Sequence, residues 1–135
     1  MEKTRTEHFA NTPGRIMSLL PDEIFVFGSN LQGMHVGGAA RTAYELFGAE
    51  WGKGVGLYGQ TYAIPTMQRP VDTIKPYVDE FIAFAKQHPE KYFYVTRIGC
   101  GIAGFRDEEI APLFRDAVSL ANVALPASFV KILEK

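Results

Sequence analysis

Residues 24–47, IFVFGSNLQGMHVGGAARTAYELF, decide the fold. The apolar run 24–27 predicts a buried strand. The stretch closes with apolar residues that share one helical face, namely Ala39, Ala43, Leu46 and Phe47. Between the two lies a first loop (residues 28–38) with four glycines, Gly28, Gly33, Gly37 and Gly38. Because the first N–H groups of a helix lack internal partners and carry partial positive charge, this arrangement favours binding of a ligand's phosphates.

The composition predicts one cytoplasmic domain. The 135 residues are enough for a single core, and 47% of them are hydrophobic. Lys and Arg total 14 against 15 Asp and Glu, and the resulting net charge of −1 does not attract nucleic acid or a membrane surface. The single Cys100 excludes an internal disulfide, no apolar run approaches a membrane span of ~20 residues, and the N-terminus shows no signal-peptide pattern. We expect an N-terminal arm over residues 1–15 that is either mobile or loosely docked, followed by a single domain over residues 16–135.

The rest of the chain alternates between strand and helix patterns. A second Gly-rich segment (residues 52–60) is too dense in glycine to predict regular structure. The patterns after it predict a strand at 62–64, a helix over 71–88, a strand at 92–98, a helix from 107 and a last strand at 129–133. A third loop (residues 99–105), GCGIAGF, follows the strand at 92–98.

This alternation predicts an α/β domain with a largely parallel sheet. In such sheets ligands bind at the carboxyl ends of the strands. The first and third loops both follow a strand and precede a helix. We therefore expect them to lie on the same rim of the sheet and to form one site.

The known phosphate signatures are absent. There is no GxxxxGK[ST] run, which argues against a P-loop enzyme. The first loop is not GxGxxG, and no acidic residue closes a second strand about 20 residues further on, which argues against a standard Rossmann dinucleotide site. The three histidines lack metal-ligand spacing, so we predict neither a metal nor a cofactor.

Four residues of the two loops carry alternative roles. Asn30 is predicted either to hold a ribose hydroxyl or water, or to shape the loop as an Asx-turn. His35 is either a general acid–base or phosphate-binding residue, or a solvated loop residue. Cys100 is either a thiol of lowered pKa or a small residue needed for close approach. Phe105 either stacks on a base or ribose, or caps the core.

Three segments together resemble the macro domains. GSNLQGMHVGGAARTA resembles the macro motif in which a strand ending in Ala-Asn leads through a Gly-rich loop into a helix. GKGVGLYGQTYAIPT resembles the following macro segment, a Gly-rich turn and a short strand ending in Pro. IGCGIAGF resembles the macro loop Gly-x-Gly-x-x-Gly-aromatic. They occur in the family's order and cover roughly residues 24–118, as in a small macro-like group of bacterial and phage proteins.

The resemblance implies a three-layer α/β/α fold with a cleft for ADP-ribose or a related nucleotide or sugar phosphate. It implies that Asn30 orients the distal ribose and that the substrate's own phosphate assists hydrolysis, and we take Asn30 and His35 as the candidate catalytic residues. The candidate ligand-binding residues are Gly28, Ser29, Asn30, Gly33, Val36, Gly37, Gly38, Gly99, Cys100, Gly101, Ile102, Ala103, Gly104 and Phe105.

The chain departs from the family pattern at its N-terminal end. The Gly-Asp-Ile/Leu segment that supplies the adenine-contacting Asp in macro domains has no counterpart, and Asp22 stands in a different context. Base specificity is therefore left open, as is the choice between hydrolysis of an ADP-ribosyl-type bond and binding alone. Two further alternatives are a nucleotide-sensing module and an interaction protein whose glycines only form turns.

Overall fold

The computed structural model describes residue 5 and residues 7–134. This part of the chain forms an α/β fold with a five-stranded mixed sheet and four α-helices. The elements in chain order are β1 (Glu23–Ser29), α1 (Gly38–Leu46), β2 (Gly56–Tyr58), β3 (Thr61–Pro65), α2 (Lys75–Gln87), β4 (Tyr92–Val95), α3 (Asp107–Ile110), β5 (Val123–Ala124) and α4 (Ala127–Leu133). The strand order is β2-β3-β1-β4-β5, and only β2 is antiparallel to its neighbour.

Strand β1 lies at the centre of the sheet and is buried on both faces. Phe25 pairs with Thr61 of β3 on one side and with Tyr94 of β4 on the other. Because successive side chains of a strand point to opposite faces, Ile24 and Val26 enter one core and Phe25 and Phe27 the other. This explains why the strand appears in the sequence as a continuous apolar run.

Helices cover both faces of the sheet. The larger core lies under α2, α4 and the 3₁₀ segment Ala111–Ala117, and contains Phe81, Phe114 and Phe129. The smaller core lies under α1 and contains Ala43 and Phe47. The β-α-β order thus produces the layered α/β domain that the sequence predicted.

The prediction of a last strand at 129–133 is wrong, because this segment is helix α4. Pro126 precedes the helix with φ −59°, which suits a helix start. Phe129 and Leu133 are four residues apart and both enter the larger core, where Phe129 packs 5.9 Å from Phe114 between ring centroids. The edge of the sheet beside β4 is formed instead by β5, Val123–Ala124, which is too short to be recognised as a strand in the sequence.

Other boundaries also differ from the sequence prediction. The second Gly-rich segment contains β2, so it is not wholly irregular. The predicted helix 71–88 is a 3₁₀ turn, Val71–Thr73, followed by α2, and the predicted strand 92–98 ends at Val95. The helix predicted from residue 107 has one α-helical turn and continues as a 3₁₀ helix.

The described residues of the N-terminal arm are packed on the sheet. The Phe9 amide donates to Tyr94 Oη at 2.8 Å, and the Thr12 amide donates to the Leu125 carbonyl at 3.0 Å. Arg5 forms a two-pronged ion pair with the carboxylate of Glu23, both nitrogens lying 2.7 Å from an oxygen. Glu23 is fully buried in β1, so the arm supplies the charge that this carboxylate requires.

In the described part of the chain, no helix is both long enough and apolar enough to span a membrane.

Candidate functional site

The first and third loops meet in a cleft at the carboxyl ends of β1 and β4. The cleft has a volume of about 310 Å³. Its lining from the first loop includes Gly28, Ser29, Asn30, Val36, Gly37 and Gly38, and its lining from the third loop includes Gly99, Gly101, Ile102 and Ala103. The prediction that both loops lie on one rim is therefore confirmed. The two loops are close neighbours, since a Cβ on Gly28 would lie 3.4 Å from the Gly99 amide nitrogen.

The N-terminus of α1 opens on this cleft. Gly37 is the N-cap residue, and Gly37, Gly38, Ala39 and Ala40 all line the cavity. Gly38 has φ +60°, a left-handed conformation that favours glycine, and no atom lies near the position of a Cβ. The residues that carry the first backbone N–H groups of α1 thus line the cleft, and the first N–H groups of a helix lack intrahelical partners and favour an anion.

Apolar side chains form the mouth of the cleft. Met34, Val36, Met67 and Ile102 all line it, and all four are among the exposed large hydrophobic residues. Such a rim around a backbone-lined floor suits a ligand with an apolar ring and a charged group.

Five of the predicted site residues do not line the cleft: Gly33, His35, Cys100, Gly104 and Phe105. Gly33 packs on the second Gly-rich segment, where a Cβ would lie 2.2 Å from the Lys53 amide nitrogen. Phe105 is buried in the larger core, and the Arg69 guanidinium lies 4.7 Å above its ring. Gly104 faces this same Arg69. Gly33, Gly104 and Phe105 therefore serve the packing of the chain and do not line the cleft.

His35 is not placed as a general acid–base. Its ring is only 2% exposed and lies among Phe27, Tyr44 and Trp51. Its Nε2 is 2.8 Å from the Glu50 carbonyl oxygen, which fixes the ring in the interior. A ligand in the cleft has no access to this side chain, so we withdraw His35 as a catalytic candidate.

Cys100 is not an activated thiol. Burial raises its pKa to about 12, and the hydrogen bond from Sγ to Asp107 at 3.2 Å acts in the same direction. The thiol of Cys100 donates this hydrogen bond to the carboxylate of Asp107, and the negative charge of the carboxylate opposes ionisation of the sulfur. The interpretation of Cys100 as a small residue needed for close packing is the one that fits.

Asn30 lines the cleft, but its amide shapes the first loop. Nδ2 donates to the Met34 carbonyl at 3.0 Å, and Oδ1 accepts from the Met34 amide at 2.9 Å. The neighbouring Ser29 is buried and donates its hydroxyl to the Gly54 carbonyl. Asn30 can therefore contact a ligand only with its remaining hydrogen-bonding capacity, while its main bonds hold the loop.

The structure adds three polar residues that the sequence did not single out, namely Thr66, Thr96 and Arg97. Thr96 and Arg97 follow β4 directly, at the rim where strand ends meet. Thr96 Oγ1 donates to the Val26 carbonyl at 2.8 Å and so ties β4 to β1. In the sequence, only the position of Thr96 and Arg97 could have indicated that they belong to the site. A residue between a strand and a loop of the site lies at the same rim of the sheet.

A larger groove adjoins the cleft and shares part of its wall. It has a volume of about 1070 Å³, and its lining includes Pro13–Met17 of the arm region together with Asp107 and Ser128. Ala39, Thr96 and Arg97 line both cavities. These three residues therefore form a wall that the cleft and the groove share. Among the described residues, no group of three or more His, Cys, Asp or Glu side chains could hold a metal ion.

The chain matches no protein-family model, and no curated protein or solved structure is significantly similar to it. The resemblance to macro domains therefore stays a prediction based on the three sequence segments.

Proposed function

We propose that this protein is a macro-like domain that binds ADP-ribose or a related nucleotide or sugar phosphate in the cleft. One observation carries the proposal: the glycines of two separate loops and the start of α1 line a single cavity at the carboxyl ends of β1 and β4. Backbone amides of this kind bind phosphate oxygens, and the α1 dipole favours the negative charge.

The cleft is of a size for part of such a ligand. Pockets for small ligands measure roughly 300–1,000 Å³, and the cleft lies at the lower end of that range at about 310 Å³. A phosphorylated ribose fits this space, and a longer ligand extends past Ala39 and Arg97 into the adjoining groove.

We place binding ahead of hydrolysis because Ser29, Asn30 and Thr96, three of the polar residues of the cleft, already form hydrogen bonds to the backbone. The amide of Asn30 is held by Met34, and the hydroxyls of Ser29 and Thr96 donate to backbone carbonyls. Hydrolysis assisted by the substrate's own phosphate is the second candidate, carried by the position of Asn30 beside the cleft.

The test is calorimetric titration with ADP-ribose, with AMP and NAD in parallel. Gly37→Asp and Gly37→Asn form a matched pair, since both residues suit an N-cap and differ in charge. Gly37 has an extended backbone (φ −160°), and a Cβ there makes ordinary contact with Ile102 at 3.7 Å. We expect the Asp variant to bind ADP-ribose at least about tenfold more weakly than the Asn variant, because its carboxylate faces the phosphates.

Equal affinities of the two Gly37 variants would place the phosphates elsewhere, and no binding of any of the three ligands to the native chain would refute the proposal. Chromatography of the NAD mixture, and of an ADP-ribosylated peptide incubated with the protein, after several hours distinguishes binding from turnover, because hydrolysis of their ADP-ribosyl bond with water releases free ADP-ribose. A released product that Asn30→Ala no longer forms would support hydrolysis.

A further inference from the structure

Arg97 is the one charged side chain among the described residues that line the cleft. It follows the end of β4 by two residues and stands in the wall between the cleft and the groove. Its side chain is 58% exposed, so it is accessible to a ligand in either space.

Asp107 holds the guanidinium of Arg97 in one orientation. Nε lies 3.1 Å from Oδ1, and Nη2 lies 3.1 Å from Oδ2. This fork-on-fork geometry fixes the plane of the guanidinium and leaves the Nη1 amine and one Nη2 hydrogen for another acceptor. Asp107 is in turn held by the thiol of Cys100. A guanidinium that is already oriented loses less conformational entropy when it binds an anion.

The charges around Arg97 are distributed unequally between the two cavities. Asp107 lines the groove and is not part of the cleft lining, whereas Arg97 lines both. An anion in the cleft therefore meets the guanidinium and the N–H groups at the start of α1. An anion in the groove meets the carboxylates of Asp107 and Glu45 as well as the guanidinium groups of Arg97 and Arg15. The charges of the groove lining therefore cancel, whereas the cleft lining keeps one positive charge.

We propose that Arg97, oriented by Asp107, binds a phosphate group of the ligand and makes the site selective for phosphorylated compounds over the corresponding nucleoside or sugar. The inference rests on the proposed function, since it assigns a specificity residue to that same cleft. It gives the chain a side-chain contact for the phosphate in addition to the backbone amides of the two loops.

The experiment compares native protein, Arg97→Gln, Arg97→Lys and Arg106→Gln by calorimetry with ADP-ribose, AMP and adenosine. Arg106 is the matched control, because it is 77% exposed, pairs with Glu109 and lines neither cavity. We expect Arg97→Gln to weaken ADP-ribose and AMP binding about ten- to one-hundredfold, the range of a hydrogen-bonded charge contact. The affinity of Arg97→Lys for these ligands should lie between those of the native protein and Arg97→Gln, because lysine keeps the positive charge but lacks the two-pronged guanidinium. The affinity of Arg106→Gln should stay within twofold of the native value.

Selectivity and salt dependence separate this role from a structural one. The affinity ratio of AMP to adenosine should fall in Arg97→Gln, and the affinity for ADP-ribose should depend less on salt than in the native chain. A native-like ratio in a folded Arg97→Gln variant would overturn the inference while the proposed function stands. Failure of the native chain to bind any phosphorylated ligand would refute both, and it would be seen before any variant is made. If Arg97→Gln does not fold because Asp107 loses its partner, the double variant Arg97→Gln/Asp107→Asn removes the unpaired carboxylate. The affinity ratio of AMP to adenosine is then measured on the double variant, and a native-like ratio would overturn the inference in the same way.

Discussion

Replacement of Glu23 by Gln should destabilise the fold, with a loss that depends on pH. Glu23 is fully buried in the central strand and receives hydrogen bonds from Arg5, from the Leu20 amide and from the Tyr94 hydroxyl. Burial alone would raise the pKa of this carboxyl. The hydrogen bonds from Arg5, His8, Leu20 and Tyr94 outweigh burial and lower the pKa from 4.5 to about 2.

Because the pKa of Glu23 is lowered on folding, the stability of the fold depends on pH. A carboxyl whose pKa is lower in the folded chain contributes stability above pH 4.5, and that contribution is lost as the pH falls towards 2. The difference between the two pKa values corresponds to about 3 kcal/mol of folding free energy. Removal of one partner of a buried ion pair costs about 3–5 kcal/mol. Because Arg5 is 25% exposed and can turn towards water, we expect the lower end, about 3 kcal/mol at pH 7.

The assay is urea unfolding of native protein and Glu23→Gln from pH 7 to pH 3, followed by far-UV circular dichroism. Glu45→Gln is the control, since Glu45 forms an exposed pair with Arg41 and should change stability by less than about 0.5 kcal/mol. The gap between native protein and Glu23→Gln should narrow as the pH falls below 4.5. A gap under about 0.5 kcal/mol at pH 7, or one that stays constant down to pH 3, would refute the assignment of the ion pair.

Two further predictions concern the loops. Because the pKa of Cys100 is raised to about 12, iodoacetamide at pH 8 should modify the folded chain at least about tenfold more slowly than it modifies free glutathione, as measured by mass spectrometry. Labelling as fast as that of glutathione would contradict the hydrogen bond to Asp107. Gly33→Ala should lower stability by at least about 2 kcal/mol in urea unfolding, because φ is +71° and the new Cβ would meet the Lys53 backbone at 2.2 Å. Gly14→Ala is the control, with no atom within 4 Å of the Cβ position, and equal stabilities of the two variants would show that the first loop does not pack as described.

The sequence predicted the centre of the fold well, for a local reason. Strand β1 is a continuous apolar run and helix α1 has apolar residues on one helical face, and the order of elements then places their loop at the carboxyl rim. The meeting of the first and third loops follows from topology, which required no knowledge of side-chain contacts.

The sequence did not predict which parts of the structure the loops and short segments pack against. His35 lies in a loop, yet its ring turns inward beside Phe27, whereas Phe105 takes the core-capping role that the sequence had left open. No periodic pattern marks the direction of a loop side chain. Similarly, the apolar composition of 129–133 suits a strand or a buried helix, and packing on Phe114 decides between them. Arg97 was missed because its importance comes from the cavity and from Asp107, ten residues away in sequence.

The position of β1 in the sheet also determines when the chain can fold during synthesis. The ribosome makes β1 before β4, and 71 residues separate Glu23 from Tyr94, the β4 residue that hydrogen-bonds to its carboxylate. At about 5–20 residues per second, the apolar segment 24–27 waits several seconds for this second neighbour. Nascent chains that end before β4 therefore expose an unpaired hydrophobic strand with a carboxylate at its start, a form suited to chaperone binding.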